Sequence, residues 1–237
     1  MRIDKLLANM GYGSRKDVKI LLKQGAVRVD EAPVKDAKRH VDPSSEKVTV
    51  FGEVVEYRPY IYFMMNKPEG VVSATEDQVE TTVIDLIDSE YAHYDLFPVG
   101  RLDKDTTGLL LITNDGAFNH ALMSPRKHVD KVYIAEVDGE MTVEDIKTFA
   151  NGVELEDGYT TKPARLEILS RSGRRSVIRL TLSEGKYHQV KRMVAAVGKH
   201  VERLERVQIG ALELDESLEL GAYRELTEEE VQRFLQS

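Results

Sequence analysis

The densest run of chemistry-bearing residues is Gly100-Arg101-Leu102-Asp103-Lys104-Asp105-Thr106-Thr107-Gly108-Leu109-Leu110, a polar loop set directly before a short apolar strand. Loops carried on a rigid scaffold are where catalytic groups concentrate. Two carboxylates at i and i+2 admit three readings. One is a solvated turn, which the pattern alone favours. A second is part of a divalent-cation site, which would need more oxygen ligands than this pair supplies. The third is a single catalytic carboxylate, Asp103, flanked by the cation Arg101. Cysteine is absent, so thiolate nucleophiles, thiolate metal sites and disulfides are excluded. His128, His188 and His200 have no spacing that forces a metal site.

The elements that must hold this loop are legible from periodicity. Tyr60–Met65 reads as a buried strand, closed by an Asn66-Lys67-Pro68-Glu69-Gly70 turn. Leu109–Thr113, Val132–Val137, Leu166–Leu169 and Val177–Leu182 read as further strands. Thr142 and Asp145 can cap a helix that runs towards Ala150 and stops at Asn151-Gly152. Tyr187–Val197 reads as a helix with Val190, Met193, Val194 and Val197 on one side.

Upstream, Ile3, Leu6, Leu7 and Met10 form one apolar helical stripe that Gly11 and Gly13 terminate. Ser14 and Asp17 have the N-cap pattern of a second helix, buried through Val18, Leu21 and Leu22 and stopped at Gly25. Its exposed positions carry Arg15, Lys16, Lys19 and Lys23, and Val27 and Val29 alternate as a short strand. Pro, Ser and Gly between residues 43 and 59 predict a linker near Gly52–Pro59. The expected division is therefore residues 1–58 and 59–237.

The 237 residues are 41% hydrophobic and 31% charged, an ordinary globular composition. The net charge of −8 hides two basic segments. Residues 1–42 hold ten Lys/Arg against six Asp/Glu, and residues 171–206 hold ten against three. Local positive faces are enough to neutralise phosphates, whatever the sum. Charge within the first five residues argues against a leader segment, and no stretch reaches the ~18 apolar residues of a membrane span. The expectation is a cytoplasmic monomer with no membrane partner.

The run Arg2-Ile3-Asp4-Lys5-Leu6-Leu7 with Gly11, Ser14-Arg15-Lys16, Leu22 and Gly25-Ala26-Val27-Arg28-Val29 resembles the S4 RNA-binding domain. Members of that family dock structured RNA with the basic face of the second helix, which implies RNA contacts for Arg15, Lys16, Lys19 and Lys23. One departure is visible. Asp30-Glu31-Ala32 stands where the family usually has a glycine, which leaves the turn type open.

The loop Gly100-Arg101-Leu102-Asp103 with Thr106, Gly108 and Leu109 resembles the signature of the pseudouridine synthases that modify ribosomal RNA. Lys131-Val132-Tyr133, Ser183-Glu184-Gly185-Lys186-Tyr187-His188-Gln189-Val190-Lys191-Arg192-Met193 and Asn66-Lys67-Pro68 with Gly70 are similar to further motifs of that family, in family order. The resemblance implies an α+β fold: a small S4 domain of two helices plus short strands, then a mixed, mainly antiparallel catalytic sheet with flanking helices. It implies Asp103 as the essential carboxylate and Arg101 as the residue that displaces the target base. It further implies Tyr133 packing on that base and Lys186 pairing with Asp103. Lys67, Arg126, His128, His188, Lys191 and Arg192 are the expected phosphate or base contacts. No metal or organic cofactor is implied. Ser124-Pro125-Arg126-Lys127-His128, Thr161-Lys162-Pro163-Ala164 and Tyr223-Arg224-Glu225-Leu226-Thr227-Glu228-Glu229-Glu230 resemble the branch that modifies uridine 516 of small-subunit 16S rRNA, with the large-subunit 23S enzymes nearest to it. Two other classes stand beside it: a non-catalytic rRNA-binding assembly factor, and metal-dependent RNA hydrolysis through Asp103 and Asp105.

Overall fold

A computed structural model of the chain describes residues 1–124 and 129–235. Contacts divide it into two compact units, residues 1–61 with 88–96, and residues 62–87 with 97–237. The boundary thus falls after Ile61 rather than after residue 58, and residues 88–96 pack with the first unit.

In the first unit, helix α1 (Ile3–Asn9) buries Ile3, Leu6 and Leu7, and helix α2 (Arg15–Lys23) buries Val18 and Leu22. Ser14 and Asp17 form a reciprocal capping box that satisfies two otherwise orphaned amides at the start of α2. The strands β1 (Val27–Val29), β2 (Ala32–Pro33), β3 (Val48–Val50) and β4 (Glu53–Val54) form an antiparallel sheet in the order β2-β1-β3-β4. The turn without glycine is resolved here. Asp30 and Glu31 both take left-handed backbone, φ 46° and 66°, so the β1–β2 hairpin closes on two non-glycine residues. The linker expected near Gly52 is a hairpin as well, because Phe51 and Gly52 turn the chain from β3 into β4. A 3-10 helix spans Ser89–Tyr94.

The second unit carries β5 (Tyr62–Lys67), β6 (Phe97–Val99), β7 (Thr107–Thr113), α3 (Gly116–Met123), β8 (Lys131–Asp138), α4 (Val143–Asn151), β9 (Arg165–Ser172), β10 (Arg175–Leu182), α5 (Gln189–Ala196), β11 (His200–Ile209), β12 (Leu212–Glu213), β13 (Tyr223–Glu225) and α6 (Glu228–Leu235). Its nine strands form one sheet ordered β13-β5-β7-β11-β8-β10-β9, with β12 on β11 and β6 on β7. Every pairing is antiparallel except β7 with β11. The fold is therefore the expected α+β arrangement.

Two expectations shift locally. Asn66 and Lys67 belong to β5, paired with Leu109 and Gly108 of β7, so the turn proper is Pro68–Gly70. Helix α5 begins at Gln189 rather than Tyr187, because His188 adopts left-handed backbone, φ 47°, and Gln189 Oε1 accepts from Lys186 N at 2.8 Å. Two apolar clusters hold the unit. One joins Ala135, Ile178, Leu180, Phe149 and Met193 where β8 and β10 meet α4 and α5. The other joins Met64, Leu109, Leu111, Phe118 and Phe234 where β5 and β7 meet α3 and α6. Among the described residues, no helix is long and apolar enough to cross a membrane.

Candidate active site

Asp103 sits in a loop whose backbone is pinned on both sides of it. Ser73 Oγ donates to Leu102 O at 2.9 Å and accepts from Leu102 N at 3.0 Å. Lys67, fully buried at the end of β5, donates to Pro68 O (2.9 Å), Lys104 O (3.3 Å) and Thr106 O (2.9 Å). An ammonium has three donors, and here each has an acceptor. Gly70 N adds a bond to Lys104 O at 2.8 Å, and Thr106 N returns to Asp103 O at 3.1 Å. Burial pushes the Lys67 ammonium down to about 8, while the negative charges of Asp105, Asp103 and Glu69 act in the opposite direction. Lys67 was expected to contact phosphate or base. Its burial makes it a strut beneath the loop instead.

Gly108 ends the loop. Its φ is +99°, and a Cβ there would stand 2.3 Å from Arg206 O, so only glycine lets β7 run beside β11 at this register. That close approach brings the Asp103 loop against one face of the central strands. Lys131 and Tyr133 alternate on β8, Leu204 and Arg206 on β11, and Arg206 is the direct cross-strand partner of Tyr133.

These residues line one cleft of about 360 Å³, together with Arg101, Asp103, Thr106, Leu182 and the Glu184–Val190 segment. The Asp103 side chain is 30% exposed in it. Arg101, Tyr133, Lys186 and His188 are thus gathered around Asp103 as residues of a single cleft.

The charge pairing differs from the expected one. Among the described residues, the lysine within ion-pair reach of Asp103 is Lys191, whose Nζ lies 3.4 Å from Asp103 Oδ2 and 2.6 Å from Asp105 Oδ1. His188 Nε2 lies 3.5 Å from Asp103 Oδ1. The Lys191 hydrogen bond holds the Asp105 carboxyl below the usual carboxylate range. Lys186 turns elsewhere, its Nζ lying 4.7 Å from the Tyr159 ring centroid. The reason is local. Glu184 accepts from Tyr159 OH (2.8 Å), Lys162 N (2.9 Å) and Gln189 Nε2 (2.7 Å), which fixes the segment before α5 with Lys186 over that ring.

Arg192 was expected to meet RNA, but it is engaged by Glu156 and Asp157. Arg15, Lys16, Lys19 and Lys23 are exposed on α2. Arg126 and His128 lie outside the described residues. Among the described residues, no cluster of three or more His, Asp or Glu is placed to hold a metal ion.

Sequence reading gave no role to Thr106, Tyr187 and Arg206 of this cleft. Thr106 stood in the signature without a role of its own, and Ser73, which pins the loop at Leu102, carried no signal. Tyr187, 74% exposed and stacked on His188 with ring centroids 3.8 Å apart, passed for the start of a helix. Arg206 was not legible, because it takes an inward position on a strand that its charged neighbours and a register shift hide.

Residues 61–196 match the family described as RNA pseudouridylate synthase, and residues 1–47 match the S4 domain. The chain belongs to the RNA pseudouridylate synthase family. It is 55% identical to the uncharacterized RNA pseudouridine synthase YtzG of Bacillus subtilis, over 98% of this chain and 97% of that protein. It is 40% identical to ribosomal small subunit pseudouridine synthase A of Escherichia coli, over 98% of each chain. A solved pseudouridylate synthase crystal structure superposes with a TM-score of 0.69 at 36% identity, covering 99% of both chains. The chain is therefore an RNA pseudouridine synthase, an isomerase that breaks the N-glycosidic bond of a uridine and rejoins the base to the same sugar through C5.

Proposed function

We propose that this enzyme isomerises a uridine of small-subunit 16S ribosomal RNA in the cytoplasm, with uridine 516 as its target and Asp103 as the residue that starts the reaction. The observation that carries the chemical part is the gathering of Arg101, Asp103 and Tyr133 around one cleft, with Lys191 against the Asp103 carboxylate. The substrate part is supported by full-length likeness to relatives named for the small ribosomal subunit.

A base inside an RNA helix is out of reach, so the target nucleotide must leave the stack. Arg101, exposed at the rim of the cleft, is suited to fill the gap, and Tyr133 to pack against the extruded uracil. The Asp103 carboxylate then acts at the sugar, as a base at C2′ or as a nucleophile at C1′. Either role uses the carboxylate, and Lys191 Nζ stands 3.4 Å from its Oδ2 as a counter-charge. Pinning through Lys67, Gly70 and Ser73 fixes the carboxylate before substrate arrives, so little ordering remains for the reacting step. The exposed cations of α2 are suited to phosphate contacts.

The test is a map of pseudouridine in ribosomal RNA from cells with and without the gene. One pseudouridine should vanish from 16S rRNA at position 516 and return on complementation. Loss from 23S rRNA would move the substrate to the large subunit. An unchanged map would leave an RNA-binding assembly factor.

A further inference from the structure

Four buried side-chain atoms among the described residues have no hydrogen-bond partner, and two of them, Thr106 Oγ1 and one terminal nitrogen of Arg206, belong to residues that line the Asp103 cleft. Arg206 is 3% exposed and Thr106 1% exposed. Arg206 spends its Nε on Leu109 O at 2.8 Å, and no carboxylate forms a salt bridge with it among the described residues. A buried guanidinium without a counter-charge is costly, and an orphaned polar group of this kind calls for a function. Lys131 stands near it on the same face of the sheet, with its ammonium on Val129 O at 3.0 Å.

We propose that Arg206, with Thr106 beside it, is the polar floor that receives a carbonyl oxygen of the target uracil, and that the Arg206 and Lys131 charges stabilise the base while it is detached. This rests on the reading of the cleft as a uridine site. When the C1′–N1 bond breaks, its electron pair goes to N1 and spreads over O2 and O4, so the free base is an anion. Asp103 balances the sugar by taking the C2′ proton or by donating an oxygen pair to C1′. After the base turns, an electron pair of its π system forms the C5–C1′ bond. The former Asp103 bond or proton is returned, C5 loses its proton, and N1 gains one.

The negative charge exists only between the two bond events, so preorganised cations at the oxygens act on the barrier more than on ground-state binding. Burial lowers the proton affinity of Lys131 and the Arg206 charge adds to that effect. The two cations therefore sense one another, Asp130 acts on Lys131 in the opposite direction, and among the described residues no salt bridge joins either cation to a carboxylate. An incoming anionic base relieves that repulsion.

The experiment compares wild type, Arg206→Lys and Arg206→Met in single-turnover reactions on one 16S rRNA fragment. The target carries uridine or 5-fluorouridine, whose fluorine makes the base a better leaving anion. Consumption of the target nucleoside is read in nuclease digests. Arg206→Met is expected to lose on the order of 10²-fold in rate on uridine while RNA affinity stays within about twofold, and Arg206→Lys to recover part of the loss. On 5-fluorouridine the Arg206→Met deficit should shrink to under about tenfold. Equal deficits on both substrates, in either variant, would make Arg206 a merely structural residue and overturn the proposal. So would wild-type rates in Arg206→Met. If Arg206→Met does not fold, the Arg206→Lys ratio between the two substrates decides alone. Failure of the wild type to consume uridine would instead end the uridine-site reading.

Discussion

Two loops face the same cleft and are held in different ways. The Asp103 loop is tied through its backbone, by Ser73 on Leu102 and by Lys67 and Gly70 on Lys104. The segment from Glu184 to His188 is tied through side chains, with Glu184 and Gln189 as the anchors. Backbone anchoring fixes where a carboxylate stands whatever its side-chain neighbours do. Side-chain anchoring leaves the orientation of each residue to its own partners, which is how Lys186 comes to lie over Tyr159 while Lys191 reaches Asp103.

The sharpest way to break this comparison is to remove each lysine in turn. Lys191→Ala should cut turnover at saturating RNA by on the order of 10²-fold, because the only lysine within ion-pair reach of Asp103 among the described residues is lost. Lys186→Ala should cost under about tenfold. The reverse order in single-turnover rates would show that Lys186 swings to Asp103 when RNA binds.

A second test strikes the strut. Lys67→Met leaves three carbonyls without their donor, and we expect about 3 kcal/mol of lost stability at pH 7.5, read from urea unfolding. The pH dependence has a definite sign. The ammonium falls to about 8 in the folded protein from an ordinary 10.5, so between those values the unfolded chain binds more protons. Wild-type stability relative to Lys67→Met should therefore rise from pH 8 towards 10, by no more than about 1.4 kcal/mol per pH unit. A relative fall over that range would mean that the folded loop holds the proton more tightly than the unfolded chain does.

The smallest effect separates chemistry from capture. Lys16→Ala, Lys19→Ala and Lys23→Ala should each flatten the salt dependence of RNA binding by about one unit, with little change in turnover at saturating RNA. An unchanged slope would put the RNA elsewhere than on α2.

Much of this architecture was legible in the residues. The capping boxes at Ser14 and Thr142 mark α2 and α4 because their reciprocal bonds are local. Alternation marks β8 and β10 because one face of each is buried in a continuous apolar cluster. Strand β11 was not legible, since His200-Val201-Glu202-Arg203-Leu204-Glu205-Arg206 reads as a charged segment, and a register shift between Val201 and Arg203 breaks its alternation. Helices α3 and α6 went unread as well. In the candidate site, the motif residues Asp103 and Tyr133 do come to line one cleft. The partner of Asp103 was not legible, because Lys186 and Lys191 are both cations of one segment and only the path of the chain into α5 decides between them.

The most direct measurement is tritium release from 5-tritiated uridine in small-subunit rRNA by the purified protein, compared between wild type and Asp103→Asn. The substitution keeps the size of the side chain and removes its charge. We predict stoichiometric release by wild type and a loss of about 10⁴-fold or more in Asp103→Asn, with RNA binding retained. Release at the wild-type rate from Asp103→Asn would contradict the assignment of the chemistry to this carboxylate.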